Sequence, residues 1–413
     1  MLRRCRCSLF LLLAMAAGGL AAAPLWPPLA GEVSGTLQWR SLAGAPPVAW
    51  RVQLAPPEGA EAGRATATLQ APGFNLRAEG TTAGKWRVTE GAVDLAAWTR
   101  PLLAAGAIAA PADLAVEGTL RIAGEGEWTS DGATGRLQLT MDGGKASSAA
   151  QGWDAAGISL TGTVDLTAGG SLEIESLVLQ VASVQAAGIA GRDLTVELAG
   201  SVPGEVTVRR AEIAILGGTV RVQPFAVDPA RPEIRATAEL AGISLGEVAG
   251  LVPTALAAAR GRLEGRIEIA WSEATGFKPQ GGALRVAADT PATIRLASTP
   301  GFLTQHLPER IKLLPDWLRL PPTWFAPVNP AYGTLQKIEL GEQDLTVEQL
   351  RVELYPDGPT GARSATVEVA ARPAAGSAVE RVSFTVNVAG PLQQVLEIGL
   401  DERARLNFNA NQK

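Results

Sequence analysis

The stretch that decides the fold begins at Arg210 and reads RAEIAILGGTVRV, two runs in which apolar residues alternate with other residues. A period of two places the apolar residues on one face of a pleated strand. The paired glycines, Gly217 and Gly218, accept the positive φ that a tight hairpin turn requires. The chain continues with RATAELAGIS as a third strand and RLEGRIEIAW as a fourth, with a short helix between them. Residues 210–271 therefore predict a unit of four strands and one helix.

The helix of this unit has start and stop signals. Ser244 and Glu247 have the spacing of a capping box, in which each side chain bonds a backbone N–H of the first turn. Ile243 and Val248 occupy the two positions of a hydrophobic staple. Pro253 has no N–H to donate and is predicted to end the helix.

A similar unit lies upstream. Asp94 is its candidate helix cap, Val93 and Trp98 hold the staple positions, and Pro101 is the predicted stop. At one constant offset, three residues match three others: Gly118, Leu120 and Trp128 match Gly261, Leu263 and Trp271. Sheet units that repeat in this way add onto their neighbours instead of closing alone.

The composition predicts a mainly β chain. Of the 413 residues 46% are hydrophobic, which is enough to bury a large core, and 46 glycines and 28 prolines favour many turns over long helices. Turn signals recur throughout, as in a continuous antiparallel meander with a few short helices. Such a meander has an apolar face that must be covered. Either the sheet folds back as a sandwich, or it curls into a trough that holds lipid acyl chains, each CH₂ contributing about 0.8 kcal/mol.

The N-terminus is predicted to direct export. Arg3, Arg4 and Arg6 precede an apolar run that ends in small residues, so residues 1–23 form a signal peptide or an uncleaved anchor. Cys5 and Cys7 both lie in this segment, so a processed chain has no disulfide and no thiolate ligand. The formal charge of −5 becomes more negative without these arginines, and nucleic acid is therefore not an expected partner.

Catalytic signatures are scarce in this sequence. His306 is the single histidine, so a two-histidine zinc site is excluded, and a packed or surface role in a helix is the simplest reading. No residue is singled out as catalytic, cofactor-binding or metal-ligating. A carboxylate pair of a wall-glycan hydrolase would leave no distinctive pattern and stays a remote alternative. We expect a protein that is not an enzyme.

Tryptophan is abundant, with ten residues against two tyrosines. Most of these rings suit the core of a sheet. Trp317, Trp324 and Phe325 differ, because neighbouring prolines would hold them on an exposed loop. Amphipathic aromatic rings are favoured at membrane interfaces and in apolar grooves. These three are interface candidates, with core packing as the alternative.

The motifs resemble a known family. IAILGGTVRV, IRATAELAGISLGEVAGL and ARGRLEGRIEIAW are similar to the repeat of the AsmA-like superfamily of bacterial envelope proteins, and VELYPDG (352–358) and VNVAGPLQQVLEIGL (386–400) look like its YdbH-like members. The resemblance implies an elongated repeating β-groove and passage of phospholipid between inner and outer membranes. It also implies a small outer-membrane lipoprotein as a partner. A free edge strand predicted near residues 404–409 suits strand addition to the sheet of that lipoprotein or of another envelope protein. Typical members are longer and keep a membrane anchor.

The resemblance divides the chain into an N-terminal β-groove repeat (24–190) and a C-terminal YdbH-like β-groove region (191–413). We expect a periplasmic protein, associated with a membrane or free, that channels phospholipid. The predicted groove-lining residues are Ile213, Ile215, Val220, Val222, Leu263, Ile267 and Ile269. The alternative is a structural or assembly factor of the envelope, such as a secretion-system or outer-membrane biogenesis component, with a sealed sandwich and no lipid cargo.

Overall fold

A computed structural model describes most of the chain between residues 30 and 409. The described ranges are 30–38, 45–56, 63–81, 83–104, 110–129, 131–186, 188–229, 233–251, 253, 255–272, 276–311, 327–356, 363–373, 375–389 and 408–409. These ranges contain 23 strands and three short helices. The chain divides into unit 1 (1–213, 223–234 and 272–274) and unit 2 (214–222, 235–271 and 275–413).

Unit 1 is an antiparallel meander. Its strands are β1 (Gly31–Leu37), β2 (Val48–Ala55), β3 (Arg64–Ala71), β4 (Phe74–Thr81), β5 (Lys85–Asp94), β6 (Ala115–Glu117), β7 (Thr119–Thr129), β8 (Gly132–Ser148), β9 (Trp153–Leu166), β10 (Leu172–Ala186), β11 (Ile189–Val202), most of β12 (Val206–Ile215), and β14 (Phe225–Val227). Consecutive strands pair from β1 to β5 and from β7 to β11, and β5 pairs directly with β7. The short β6 pairs with β8, and β14 pairs with β12.

Unit 2 is also built from antiparallel pairs. Its strands are β13 (Gly218–Val222), β15 (Glu233–Ser244), β16 (Leu256–Arg260), β17 (Arg262–Ser272), β18 (Gly276–Val286), β19 (Ala292–Leu296), β20 (Leu345–Leu354), β21 (Arg363–Arg372), β22 (Val382–Ala389) and β23 (Phe408–Asn409). β15 pairs with β13 and β17, and β20 pairs with β18, β19 and β21. β16 pairs with β19, and the series ends with β21, β22 and β23. The prediction of a mainly β chain, an antiparallel meander with a few short helices, is confirmed.

The three helices are α1 (Leu95–Ala104) in unit 1, and α2 (Leu245–Leu251) and α3 (Pro330–Glu339) in unit 2. α1 and α2 begin in the same way. In both, the cap residue donates its N–H to the carbonyl of a preceding turn, and the next residue donates to the carbonyl of a glycine ahead of the following strand. The four bonds are Asp94 to Gly73 (2.7 Å), Leu95 to Gly118 (2.9 Å), Ser244 to Leu216 (2.8 Å) and Leu245 to Gly261 (3.0 Å). This shared junction is the structural form of the sequence repeat.

Local details of these junctions differ from the predictions. Glu247 N–H donates to Ser244 Oγ at 3.3 Å, but the Ser244 N–H bonds the Leu216 carbonyl, so the second half of the capping box is replaced. The hairpin turn lies one residue earlier than predicted, at Leu216 and Gly217, whose φ values of 49° and 67° fit a type I′ turn. Pro101 does not stop α1, which runs on to Ala104; Pro101 is buried with Trp98, and this burial offsets the one missing helical hydrogen bond.

The apolar residues form separate cores. The main core of unit 1 gathers around Trp98, which is 1% exposed and packs edge-on against Phe74 with ring centroids 5.8 Å apart. A smaller cluster of unit 1 holds Met141, Ile158 and Val181. The core of unit 2 includes Ile294, Ile338 and Leu345, none more than 2% exposed.

Trp86 of β5 lies over two glycines of unit 1. In register it faces Gly126 of β7, which in turn faces Gly135 of β8. A Cβ on either glycine would meet the Trp86 ring, and on Gly135 it would also lie 2.5 Å from the Glu125 carbonyl oxygen. The indole therefore fills the space above two residues that have no side chain, an aromatic–glycine pairing that fixes strand register.

We expect Gly135→Val to lower the free energy of unfolding by about 1–3 kcal/mol, because the added methyls collide with backbone and indole atoms that lack room to move. Chemical denaturation of the two proteins measures the difference. The control is Gly169→Val in the turn before β10, where no heavy atom lies within 4 Å of the added Cβ. Equal losses in the two variants would contradict the packing argument.

Candidate functional site

Ion pairs mark one side of the strands in each unit as polar. In unit 1 Arg136 binds Asp165 at 2.9 Å and Glu175 at 3.1 Å, across strands β8 to β10. The hydrogen bond and positive charge of Arg136 lower the pKa of Asp165. Exposed pairs of this kind contribute about 0–1 kcal/mol each. They identify the side of the sheet that faces water. Most of the stability of the sheet therefore comes from apolar burial on the other face.

Unit 2 has a polar side of its own, also marked by ion pairs. Two of its ion pairs join neighbouring strands: Arg266 with Glu239 at 3.2 Å and Arg285 with Glu264 at 2.8 Å. A third joins Arg381, just ahead of β22, to Glu348 of β20 at 3.2 Å. Residues adjacent to these in each strand point to the opposite face.

The opposite face of unit 2 carries an unbroken apolar row across four strands. Leu284 faces Val352, Val352 faces Val367, and Val367 faces Val386. Directly opposed residues in an antiparallel ladder project from the same side of the sheet. All four are only half-buried, so the row keeps apolar surface accessible. We name these four residues the unit 2 band.

One step along the strands the same face is sealed. Leu350, Val369 and Phe384 face one another in register and are 7%, 6% and 8% exposed. A two-residue step along a strand is about 6.6–6.8 Å. The change from sealed to accessible thus occurs within one side-chain layer. We name Leu350, Val369 and Phe384 the sealed row.

Unit 1 has a comparable band. Leu139 faces Gly162, Gly162 faces Leu177, and Leu177 faces Leu198. In the adjoining row Leu160, Leu179 and Val196 face one another. The six apolar side chains are half-buried, whereas their strands are buried on either side of them, for example at Leu137 and Met141 of β8. We name Leu139, Leu160, Leu177, Leu179, Val196 and Leu198 the unit 1 band.

The predicted lining residues have different surroundings. Val220 and Val222 are half-buried and face Leu240 and Ala238. Ile267 and Ile269 are half-buried in β17, as are Ile213 and Ile215 in β12. Leu263 is 4% exposed and belongs to the core cluster that contains the sealed row. Of the seven, six therefore keep accessible apolar surface, and their role as lining residues stays a prediction.

The interface candidates Trp317, Trp324 and Phe325 lie outside the described residues. The two bands defined above are absent from the predicted list, although they carry the same alternating signal, for example LRVEL at 350–354. His306 is exposed, and within the described ranges no group of three or more His, Cys, Asp or Glu residues is placed to hold a metal.

A buried carboxylate stands out at the end of α3. Glu339, the last residue of α3, is 3% exposed. Its Oε2 accepts from the N–H groups of Leu303 (2.8 Å) and Thr304 (3.1 Å), and its Oε1 accepts from Thr304 Oγ1 (2.7 Å). Burial opposes ionisation of this group, but the hydrogen bonds from Thr304 and the backbone outweigh it, and the pKa of Glu339 is lowered. The carboxylate is therefore ionised and satisfied.

No helix in the described part of the chain has the length and apolar character to cross a membrane. No curated protein and no solved structure shows significant similarity to the chain. A family model described as intermembrane phospholipid transport protein YdbH does match, over residues 99–319, more than half of the chain. The match contains the whole unit 1 band and ends before α3. The chain belongs to the YdbH-like family of intermembrane phospholipid transport proteins.

Proposed function

We propose that this chain carries phospholipid between the two membranes of a bacterial envelope by holding acyl chains against the half-buried apolar bands of its sheets. Family membership supports a role in intermembrane lipid transport and a location in the envelope. The observation that carries the finer proposal is the unit 2 band, an apolar row across four strands that is not fully covered.

The physical basis of binding is burial of hydrocarbon. Each acyl CH₂ removed from water contributes about 0.8 kcal/mol, so a chain lying along a row of Leu and Val side chains binds without a dedicated polar site. Such a surface does not distinguish headgroups. It also lets lipid move along, because neighbouring positions on the band are chemically alike.

The N-terminal pattern supports export, with Arg3, Arg4 and Arg6 ahead of an apolar run, and the proposed compartment is the periplasm. The proposed protein partner is a small outer-membrane lipoprotein or another envelope protein that adds a strand. β22 supports this, since its edge accepts a second strand in the antiparallel pairing of Thr385 and Val386 with β23.

Mass spectrometry of lipid extracted from the full chain tests the proposal. The protein is expressed with its N-terminal segment, so that export takes place, and is purified from the envelope fraction without added lipid. We expect phospholipid in at least equimolar amount. A folded, monodisperse protein free of phospholipid would reject the proposal and favour the alternative of an assembly factor with a sealed sheet.

A further inference from the structure

The sealed row of unit 2 belongs to a core cluster that also includes residues from outside its strands. Ile338 of α3 is fully buried in the core cluster that includes Leu350, Val369 and Phe384, and Phe302 and Leu303 pack against that cluster. Val352, Val367 and Val386 of the unit 2 band border the same cluster but are more exposed than the sealed row. Burial therefore decreases from the sealed row to the band within one side-chain layer.

Phe302 and Leu303, which pack against this cluster, belong to a compact turn, residues 299–307, which we name the stop segment. Its own backbone bonds join Phe302 N–H to Thr299 O (3.2 Å), Gln305 N–H to Gly301 O (3.1 Å) and Leu307 N–H to Thr304 O (3.0 Å). These bonds shape the turn but do not attach it to the sheet. The contacts that attach it include the packing of Phe302 and Leu303 against the core cluster and the hydrogen bonds of Glu339.

Glu339 attaches the stop segment through both its side chain and its main chain. The carboxylate accepts three hydrogen bonds from Leu303 and Thr304, and the Glu339 carbonyl accepts the Thr299 N–H at 2.8 Å. Hydrogen bonds to a charged group are directional and roughly twice as strong as neutral ones. A carboxylate buried without them would carry a large desolvation cost. The turn and the carboxylate thus depend on each other.

We propose that Glu339 is a positioning residue that holds the stop segment over the sealed row, so that acyl chains occupy the unit 2 band and end at that row. This inference rests on the proposed function, and it adds the position on the sheet at which the bound acyl chain ends. Loss of the Glu339 hydrogen bonds releases the stop segment locally, and the surface available to acyl chains then extends by one side-chain layer. Such local opening leaves the strands of the unit paired.

Two positions on one strand report the boundary. Phe384 lies in the sealed row and Val386 in the band, on the same face of β22. The photocrosslinking amino acid p-benzoylphenylalanine replaces either residue in the full chain. The protein is then incubated with vesicles of phosphatidylethanolamine and phosphatidylglycerol and irradiated. Mass spectrometry measures the protein–lipid adduct.

We expect adduct at position 386 to exceed that at 384 by about tenfold, a difference in occupancy of about 1.4 kcal/mol. Glu339→Gln and Thr304→Val are expected to bring the two positions to similar yields. Thr304→Ser keeps the hydroxyl and is expected to keep the wild-type ratio. The control is Glu342→Gln, an exposed carboxylate just beyond α3. Thermal melting confirms that each variant is folded.

Equal amounts of adduct at positions 384 and 386 in the otherwise unaltered protein would contradict the proposal that acyl chains end at the sealed row. An unchanged ratio in both Glu339→Gln and Thr304→Val would show that Glu339 does not hold the stop segment. Absence of adduct at both positions, together with no extractable phospholipid, would reject the proposed function itself. If no adduct forms at either position but phospholipid is still extracted, the lipid binds elsewhere than on the unit 2 band. That result would also reject the proposal that acyl chains end at the sealed row.

Discussion

Val386→Asp is expected to lose most of the phospholipid that the unaltered protein carries. Val386 stands in the unit 2 band, half-buried and facing Val367. A carboxylate at this point keeps its hydration shell and excludes the acyl chain from its surroundings. The loss of about two to three buried CH₂ contacts, at about 0.8 kcal/mol each, corresponds to a fall in occupancy of roughly tenfold or more.

The matched control is Ser383→Asp on the same strand. Ser383 is exposed and projects from the other face of β22, so the same new side chain meets water there. Val386→Leu, which keeps the position apolar, is expected to retain lipid. Quantitative lipid extraction and a thermal melt are measured on each variant. Equal lipid content in folded Val386→Asp and Ser383→Asp would remove the unit 2 band from the binding surface.

The period of two identified faces correctly, because the pleat gives it directly. Val220 and Val222 fall on one face, as do Ile267 and Ile269, and the exposed Glu268 lies on the other. The same reasoning could not predict how deeply each residue along a strand is buried. Leu263 and Ile267 share an alternation in RLEGRIEIAW, yet only Leu263 is sealed. That difference depends on packing with residues such as Ile338, far away in sequence.

The sequence pattern also failed to predict short strands and the exact ends of helices. β16 (Leu256–Arg260) reads LAAAR, in which alanine gives no clear alternation, and its register is set by β19. Pro101 has the sequence signature of a helix stop, but its burial beside Trp98 decides the outcome. Local rules describe the isolated chain, and tertiary packing overrides them where a large ring or a neighbouring strand is at stake.

Glu339 shows most clearly that sequence patterns do not predict hydrogen bonds between residues that are distant in the chain. In the sequence it is one of 41 acidic residues, and no motif around it singles it out. In the structure its hydrogen-bond donors come from Leu303 and Thr304, about 35 residues earlier. No local motif announces such a pairing.

Glu339→Gln is expected to destabilise the protein at neutral pH and to lose that deficit as the pH falls. The lowered pKa means that the folded state binds a proton at Glu339 less readily than the unfolded chain does. Its contribution to the free energy of unfolding is therefore complete above the ordinary carboxyl pKa of 4.5 and declines as the pH falls below it, through the folded-state value. Glutamine does not titrate, so the variant lacks this dependence at the site.

Denaturant unfolding of the two proteins from pH 7 to acid measures the gap between them. At neutral pH we expect a gap of about 1–3 kcal/mol, the usual cost of replacing charge-assisted hydrogen bonds in a buried setting. The gap narrows below pH 4.5, while Glu342→Gln, at an exposed carboxylate, follows the unaltered protein throughout. A gap that stays constant on acidification would mean that the loss in Glu339→Gln does not come from the charge of the carboxylate, since a loss carried by charge must vanish when the carboxylate is protonated.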